Sequence, residues 1–295
     1  MSVADSLFEN EFLEKLEYLY LISKKILSGQ NRAERRSRKV GSGIEFADYR
    51  EYMPGDDLRH IDWTLYARLQ KLFLRLFEEE EDLYVYLLID ISPSMRMGTP
   101  SRLDYALRVA AALAYITLSN LDRVSLLTFG EKVEGRLPPS RGKPNIFKVL
   151  KFLERIPDTK GTRMEESLQA FVHQSKRRGI AVLLSDFYDE KGYRQALDYL
   201  RYFRYDIFAI QLFDERELNP DVRGDVELID HETGERLTTT LSPRLIKAYQ
   251  EAFEQYCQEL EQYCLQSEIT LFRTSIQVPF EDLVLDIFRR GGFLA

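Results

Sequence analysis

Five oxygen-bearing side chains have the type and spacing to hold a metal ion: Asp90, Ser92, Ser94, Thr162 and Asp186. The run Asp90-Ile91-Ser92-Pro93-Ser94 follows directly on the apolar stretch 84–89. In extended chain its acid and two hydroxyls alternate onto one side before Pro93 bends the backbone. Gly161-Thr162 lies in a loop before a helical pattern, and Asp186 follows the apolar run 180–184 through Ser185. Two carboxylates and three hydroxyls make a hard, all-oxygen shell, suited to Mg²⁺ first, with Mn²⁺ or Ca²⁺ accepting the same donors, and unsuited to zinc. If some donors act through water, one coordination position stays open for a carboxylate from outside. The competing reading confines Asp90 and Ser94 to capping the turn and the next helix. The strand before them, and matching groups in the right order at two other loops, favour the metal.

A second chemistry uses the same residues. Asp90 at a strand end could serve as the nucleophile of a metal-dependent phosphohydrolase. Such enzymes resemble Asp-x-Asp at this point; here the third position is Ser92, so the usual acid/base carboxylate is missing, and no phosphate-anchoring lysine follows at a similar place. The balance favours a non-catalytic binding module. His60, His173 and His231 are scattered without a Ser or Cys partner that would suggest a triad. Cys257 and Cys264, seven apart in a helical pattern, are about 10 Å apart along the axis and read as packed thiols.

Positioning these groups requires strand ends. Strand patterns at 72–77, 84–89, 124–129, 180–184, 207–213 and 269–273 alternate with helical patterns at 102–118, 145–153, 163–175, 193–202, 245–263 and 280–289. That order predicts βαβ units, a mostly parallel sheet and ligands at the carboxyl ends of its strands. Two alternating runs around His231-Glu232-Thr233-Gly234 predict an inserted β-hairpin at about 225–240. Residues 7–27 predict an amphipathic helix. Between 31 and 68 the periodicity lapses into an arm with turns, containing a basic cluster (Arg32, Arg35, Arg36, Arg38, Lys39) that reads as a solvated loop. Five consecutive acids, Glu78–Asp82, read as a solvated bend. The expected division is 1–70, helix and arm packed on the main domain, and 71–295, the α/β domain.

The arm interleaves Arg50, Arg59 and Arg68 with Glu45, Asp48, Asp56, Asp57 and Asp62. Such pairs often tie a loop to its domain, and that reading is favoured, with Pro54-Gly55-Asp56-Asp57 as a tight turn and Trp63 as a buried anchor. The alternative is a partner-docking surface made of Arg50, Asp56, Asp57, Arg59, Asp62, Trp63 and Arg68.

The chain has 295 residues, 44% of them hydrophobic, enough for a large core. Its 41 basic against 48 acidic residues, net −7, argue against a protein devoted to nucleic acid. No apolar run reaches the roughly 18–20 residues of a membrane span, and Met1–Ser6 lack a signal-peptide pattern. The expected location is cytoplasmic.

Two resemblances sharpen this. Asp90-x-Ser92-x-Ser94, Thr162 and Asp186 resemble the metal-ion-dependent adhesion site (MIDAS) of von Willebrand factor type A domains, which implies a Rossmann-like sheet with helices on both faces. Asp186 is followed by Phe187, where many such domains have Gly. Gly43-Ile44-Glu45-Phe46, Asp48-Tyr49-Arg50-Glu51-Tyr52, Pro54-Gly55-Asp56-Asp57, Arg59-His60-Ile61-Asp62-Trp63 and Ala67-Arg68 resemble the hallmark of the bacterial family called domain of unknown function fifty-eight (DUF58). That resemblance implies an arm joined to a von Willebrand A-like domain. It also implies a partnership with a MoxR-type AAA+ ATPase or its client in chaperone-like assembly, and a soluble version of a family in which many members have membrane spans.

Overall fold

Apolar strand patterns separated by helices collapse into a mixed α/β fold in the computed structural model, which describes residues 9–29, 36–40, 45–80, 83–219, 224–229, 236–290 and 293. The elements in chain order are α1 (Asn10–Gly29), β1 (Arg36–Val40), β2 (Glu45–Glu51), α2 (Trp63–Leu69), β3 (Phe73–Glu80), β4 (Tyr84–Asp90), α3 (Arg102–Ser119), β5 (Arg123–Phe129), β6 (Val133–Arg141), α4 (Ile146–Leu153) and α5 (Met164–Gln174). There follow β7 (Ile180–Ser185), α6 (Arg194–Tyr202), β8 (Asp206–Phe213), α7 (Glu215–Leu218), β9 (Gly224–Ile229), β10 (Arg236–Leu241), α8 (Pro243–Gln266), β11 (Thr270–Ser275) and α9 (Phe280–Arg290). They divide into two compact units, one of Met1–Lys25 with Leu83–Leu294, the other Ile26–Asp82.

In the larger unit six strands lie in the order β11-β8-β7-β4-β5-β6. All neighbours are parallel except β6, which returns antiparallel to β5. Because side chains alternate across a strand, Tyr86, Leu88, Ala181, Leu183, Ile207 and Ala209 share one core with Leu168 and Phe171 of α5, Leu197 and Leu200 of α6 and Leu260 and Cys264 of α8. The intervening residues, Leu87, Ile89, Val182, Leu184 and Ile210, are fully or almost fully buried on the other face. α3 is alanine-rich and buried nearly all round, which lets it lie close among its neighbours; a capping box between Ser101 and Asp104 starts it. α1 belongs to this unit through Lys25, with Phe12 against Phe280 at a ring-centroid distance of 5.7 Å and Glu17 accepting from Lys143 Nζ at 2.7 Å. Cys257 and Cys264 are buried free thiols. Among the described residues no helix is long and apolar enough to cross a membrane.

The smaller unit is a three-stranded antiparallel sheet in the order β1-β3-β2 with the short helix α2. Here the structure departs from the sequence reading. The expected strand at 72–77 pairs within this sheet, so the unit boundary falls near residue 82 rather than 70, and α1 sorts with the larger unit. Part of the expected basic loop is β1, and Glu78–Glu80 lie in β3. Their backbone register sets Arg36 against Glu80 and Arg38 against Glu78, so two segments expected as solvated loop and bend are paired strands. Arg32 and Arg35, and the residues 81–82, lie outside the described residues. Trp63 is 60% exposed, not a buried anchor: it opens a two-turn helix, and the buried side chains of that segment are Ile61, bridged to Leu74, and Asp62. β6 was not anticipated, because Gly135, Pro138 and Pro139 break its strand pattern. The expected hairpin is present as antiparallel β9 and β10; its His231–Gly234 turn lies outside the described residues.

Candidate metal centre

From β4 the chain runs to β5 on one side, and it later returns to place β7 on the other side of β4. The carboxyl ends of β4 and β7 therefore flank the point where strand order reverses, where ligand crevices form in such sheets. Asp90 ends β4 and Asp186 follows β7, and both are 1% exposed.

The local chain explains the convergence. Ser92 N–H donates to Asp90 Oδ1 at 2.9 Å, turning the chain after the strand. Pro93 then starts a 3₁₀ turn, Ser94–Arg96, which leaves the Ser92 and Ser94 hydroxyls 3.0 Å apart. Thr162 Oγ1 lies 3.5 Å from Asp90 Oδ1. The five expected residues are thus brought near one another at the carboxyl ends of β4 and β7, with Asp186 close enough to Asp90 to raise its carboxyl.

Burial, and then the Asp186 carboxylate, push the Asp90 carboxyl well above the usual carboxylate range, against hydrogen bonds from Ser185 and Ser92. Burial raises Asp186 too, opposed first by Arg102 and then by Tyr188 N–H, which donates to Oδ1 at 3.1 Å. Asp186 Oδ2 is buried with no hydrogen-bond donor. Two neighbouring buried carboxyls, only one of them beside a guanidinium, are a setting that a further cation would stabilise. These residues fit a divalent ion in donor chemistry, although among the described residues no three His, Cys, Asp or Glu side chains gather to hold a metal.

Sequence reasoning missed four participants. Ser185 Oγ donates to Asp90 Oδ2 at 2.6 Å and accepts Phe187 N–H at 2.8 Å; its signal was its place between a strand and a site acid. Asp189 Oδ2 accepts Met164 N–H at 2.7 Å, tying the loop after β7 to the start of α5 beside Thr162. Arg102, with a side chain 3% exposed, bonds Glu217 and the Ser94 carbonyl, the latter at 3.0 Å, and sets its Nε 3.4 Å from Asp186 Oδ2. A basic residue opening a helix opposes the macrodipole, and that was the available signal. Phe187 adopts φ 66°, a left-handed conformation in which glycine is at ease, while its ring is fully buried. Hydrogen bonds at both its N–H and its carbonyl, the latter accepting from Tyr256 Oη at 2.5 Å, hold it there.

In the arm, Arg50 pairs with Asp56 at 2.7 Å and Arg59 with Asp57 at 2.6 Å, an arrangement that draws the Asp57 carboxyl down to about 2. Asp62 accepts from Arg75 Nε at 2.8 Å, Tyr49 Oη at 3.0 Å and the N–H groups of Thr64 and Leu65. The carboxylates of this set have their partners within the arm. Trp63 and Arg68 are exposed on α2.

The family model described as "Protein of unknown function DUF58" matches residues 48–259. The uncharacterized protein Rv1480 of Mycobacterium tuberculosis is 29% identical over 236 residues, 78% of this chain and 74% of its own length. The uncharacterized protein MAV169 of Mycobacterium avium is 30% identical over 114 residues, 37% of this chain and 66% of its own. Among solved structures, the conserved hypothetical protein BatB from Bacteroides thetaiotaomicron aligns with a TM-score of 0.48 and 17% identity, covering 72% of this chain and 98% of that one.

Proposed function

The chain belongs to the DUF58 family, and for this member we propose a non-catalytic, metal-dependent protein-binding module of the von Willebrand A type. The observation that carries the reading is the buried Asp90–Asp186 pair at the switch point of the sheet, in which Asp186 Oδ2 faces Arg102 without a hydrogen bond. Asp90, Ser92, Ser94, Thr162 and Asp186 would hold the ion, Mg²⁺ or Mn²⁺. The ion would supply the positive charge for an acidic side chain of a partner. The chain's own part is to keep the donors converged: Ser185 fixes Asp90, Asp189 fixes the start of α5 beside Thr162, and Pro93 turns Ser94 inward. The partner suggested by the family resemblance is a MoxR-type AAA+ ATPase or that ATPase's client.

Titration calorimetry with Mg²⁺ and Mn²⁺ is expected to show binding to the wild type and none to Asp90→Ala; equal affinity in both would remove the site. Capture of the ATPase or its client should fail in EDTA and weaken in Thr162→Ala. Undiminished capture in both would mean that the metal is not the docking element. Mg²⁺-dependent turnover of a phosphate ester, lost in Asp90→Ala, would replace this reading with the phosphohydrolase.

A further inference from the structure

Arg102 occupies an unusual position. It is the first residue of α3, where the helix dipole already presents positive charge, yet its side chain is 3% exposed. Two acids justify it: Glu217 accepts from its Nη1, and Asp186 lies beside its Nε. The second contact is incomplete. Arg102 Nε and Asp186 Oδ2 face each other at 3.4 Å, and each is a buried atom with no hydrogen-bond partner. A guanidinium free to relax would close that gap, because an aligned charge-assisted bond is shorter and stronger.

The surroundings hold it back. Nη2 is tied to the Ser94 carbonyl at 3.0 Å. The loop before Arg102 is fastened as well: Arg216 donates to the carbonyls of Thr99 and Pro100 at 2.8 and 3.2 Å, and Asp214 clamps Arg216 at 2.6 Å. Asp214 is itself 3% exposed, and Gln277 Nε2 donates to it at 2.7 Å. Arg216 and Glu217 are neighbours in α7, so one short helix fixes both the loop and the guanidinium.

From this geometry, and resting on the metal-site reading above, we infer that Arg102 is a fixed resident cation that sets the crevice's affinity for its divalent ion, partly neutralising Asp186 and kept from closing on it by Glu217 and the Ser94 carbonyl. The crevice and its edge then hold three carboxylates, Asp90, Asp186 and Glu217, against one guanidinium. An incoming ion meets a net negative site weakened by one permanent like charge. Arg102 is a positioning residue and a charge setter, not an ion ligand.

The two partners therefore have opposite effects, which a purely architectural role would not produce. Mg²⁺ and Mn²⁺ are titrated calorimetrically into the full chain after EDTA treatment. Arg102→Gln removes a charge that repels the ion, and its affinity is expected to rise by about tenfold or more, while its metal-free melting temperature falls. Arg102→Lys keeps the charge and is expected to bind within about threefold of the wild type. Glu217→Gln both removes a carboxylate from the edge of the site and frees Arg102 to close on Asp186, and affinity is expected to fall several-fold in the wild-type background but by clearly less in Arg102→Gln. If Arg102→Gln and Arg102→Lys both weaken binding, Arg102 only shapes the site and the inference is overturned while the metal reading stands. Should Arg102→Gln fail to fold, unchanged or tighter binding by Glu217→Gln overturns it equally. Binding by Arg102→Gln but not by the wild type supports it. No binding by any of these proteins overturns the inference and the metal reading together.

Discussion

Ser185 shows how much of the crevice rests on residues that carry no ligand role. Its hydroxyl satisfies one buried carboxylate oxygen and, as acceptor, the N–H of a residue in left-handed backbone. Ser185→Ala leaves both without a partner where water does not reach. Leaving a buried polar group unpaired costs about 1–3 kcal/mol, so denaturant unfolding in EDTA should show a loss of that order. It should also lift the Asp90 carboxyl further, since Ser185 is one of the bonds that hold it down. A variant as stable as the wild type would show that the bond contributes nothing. Asp90, Ser92 and Ser94 were legible as candidates because an alternating Asp-x-Ser-x-Ser after an apolar strand has a definite direction, and Thr162 and Asp186 because each lies in a loop next to a helix or strand pattern in the matching order. Arg102 and Glu217 were not, because residues distant in sequence meet only once α3 and α7 dock, and a charged side chain carries no periodic mark of its partner.

At the scale of elements the parallel strands were legible from their length and apolarity. The pattern at 72–77 correctly announced a strand but could not say which sheet it joins; alternation specifies a face, not a neighbour. The same limit hid α2, whose two turns are too short for a periodicity and whose start is marked only by Asp62. That residue caps α2 and pairs with Arg75 of β3, so it links helix to sheet within the arm. The Arg75 guanidinium and the Leu65 N–H hold its carboxyl well below the ordinary 3.8. A carboxyl lowered on folding stabilises fully above its unfolded value and loses that contribution as pH falls toward its folded one. The arm should therefore weaken on acidification below about pH 4. Trp63, the chain's single tryptophan and the residue next to Asp62, reports this directly by fluorescence. In Asp62→Asn the arm should be weaker at neutral pH and its acid transition shallower; an unchanged transition would remove Asp62 as its cause.

Over the whole molecule, the division into units reassigns α1. Leu16 and Leu19 are fully buried, and Phe12 packs against α9, so the N-terminal helix is part of the α/β core and not an appendage of the arm. Leu16→Ala should cost about 2–5 kcal/mol, read as a lower melting temperature with increased dye binding to exposed apolar surface. A near-neutral result would show that α1 detaches freely. The remaining consequence lies at the far rim of the sheet. β6 is the outermost strand, and Pro138 and Pro139 deprive it of two donors just where its register with β5 shifts. A rim with missing donors and a local kink is a poor template for strands of another molecule. The two prolines are therefore expected to oppose self-association in a crowded solution. The double replacement Pro138→Val and Pro139→Val should restore a continuous ladder edge and bring concentration-dependent clumping, seen by light scattering, at protein levels where the native chain stays dispersed.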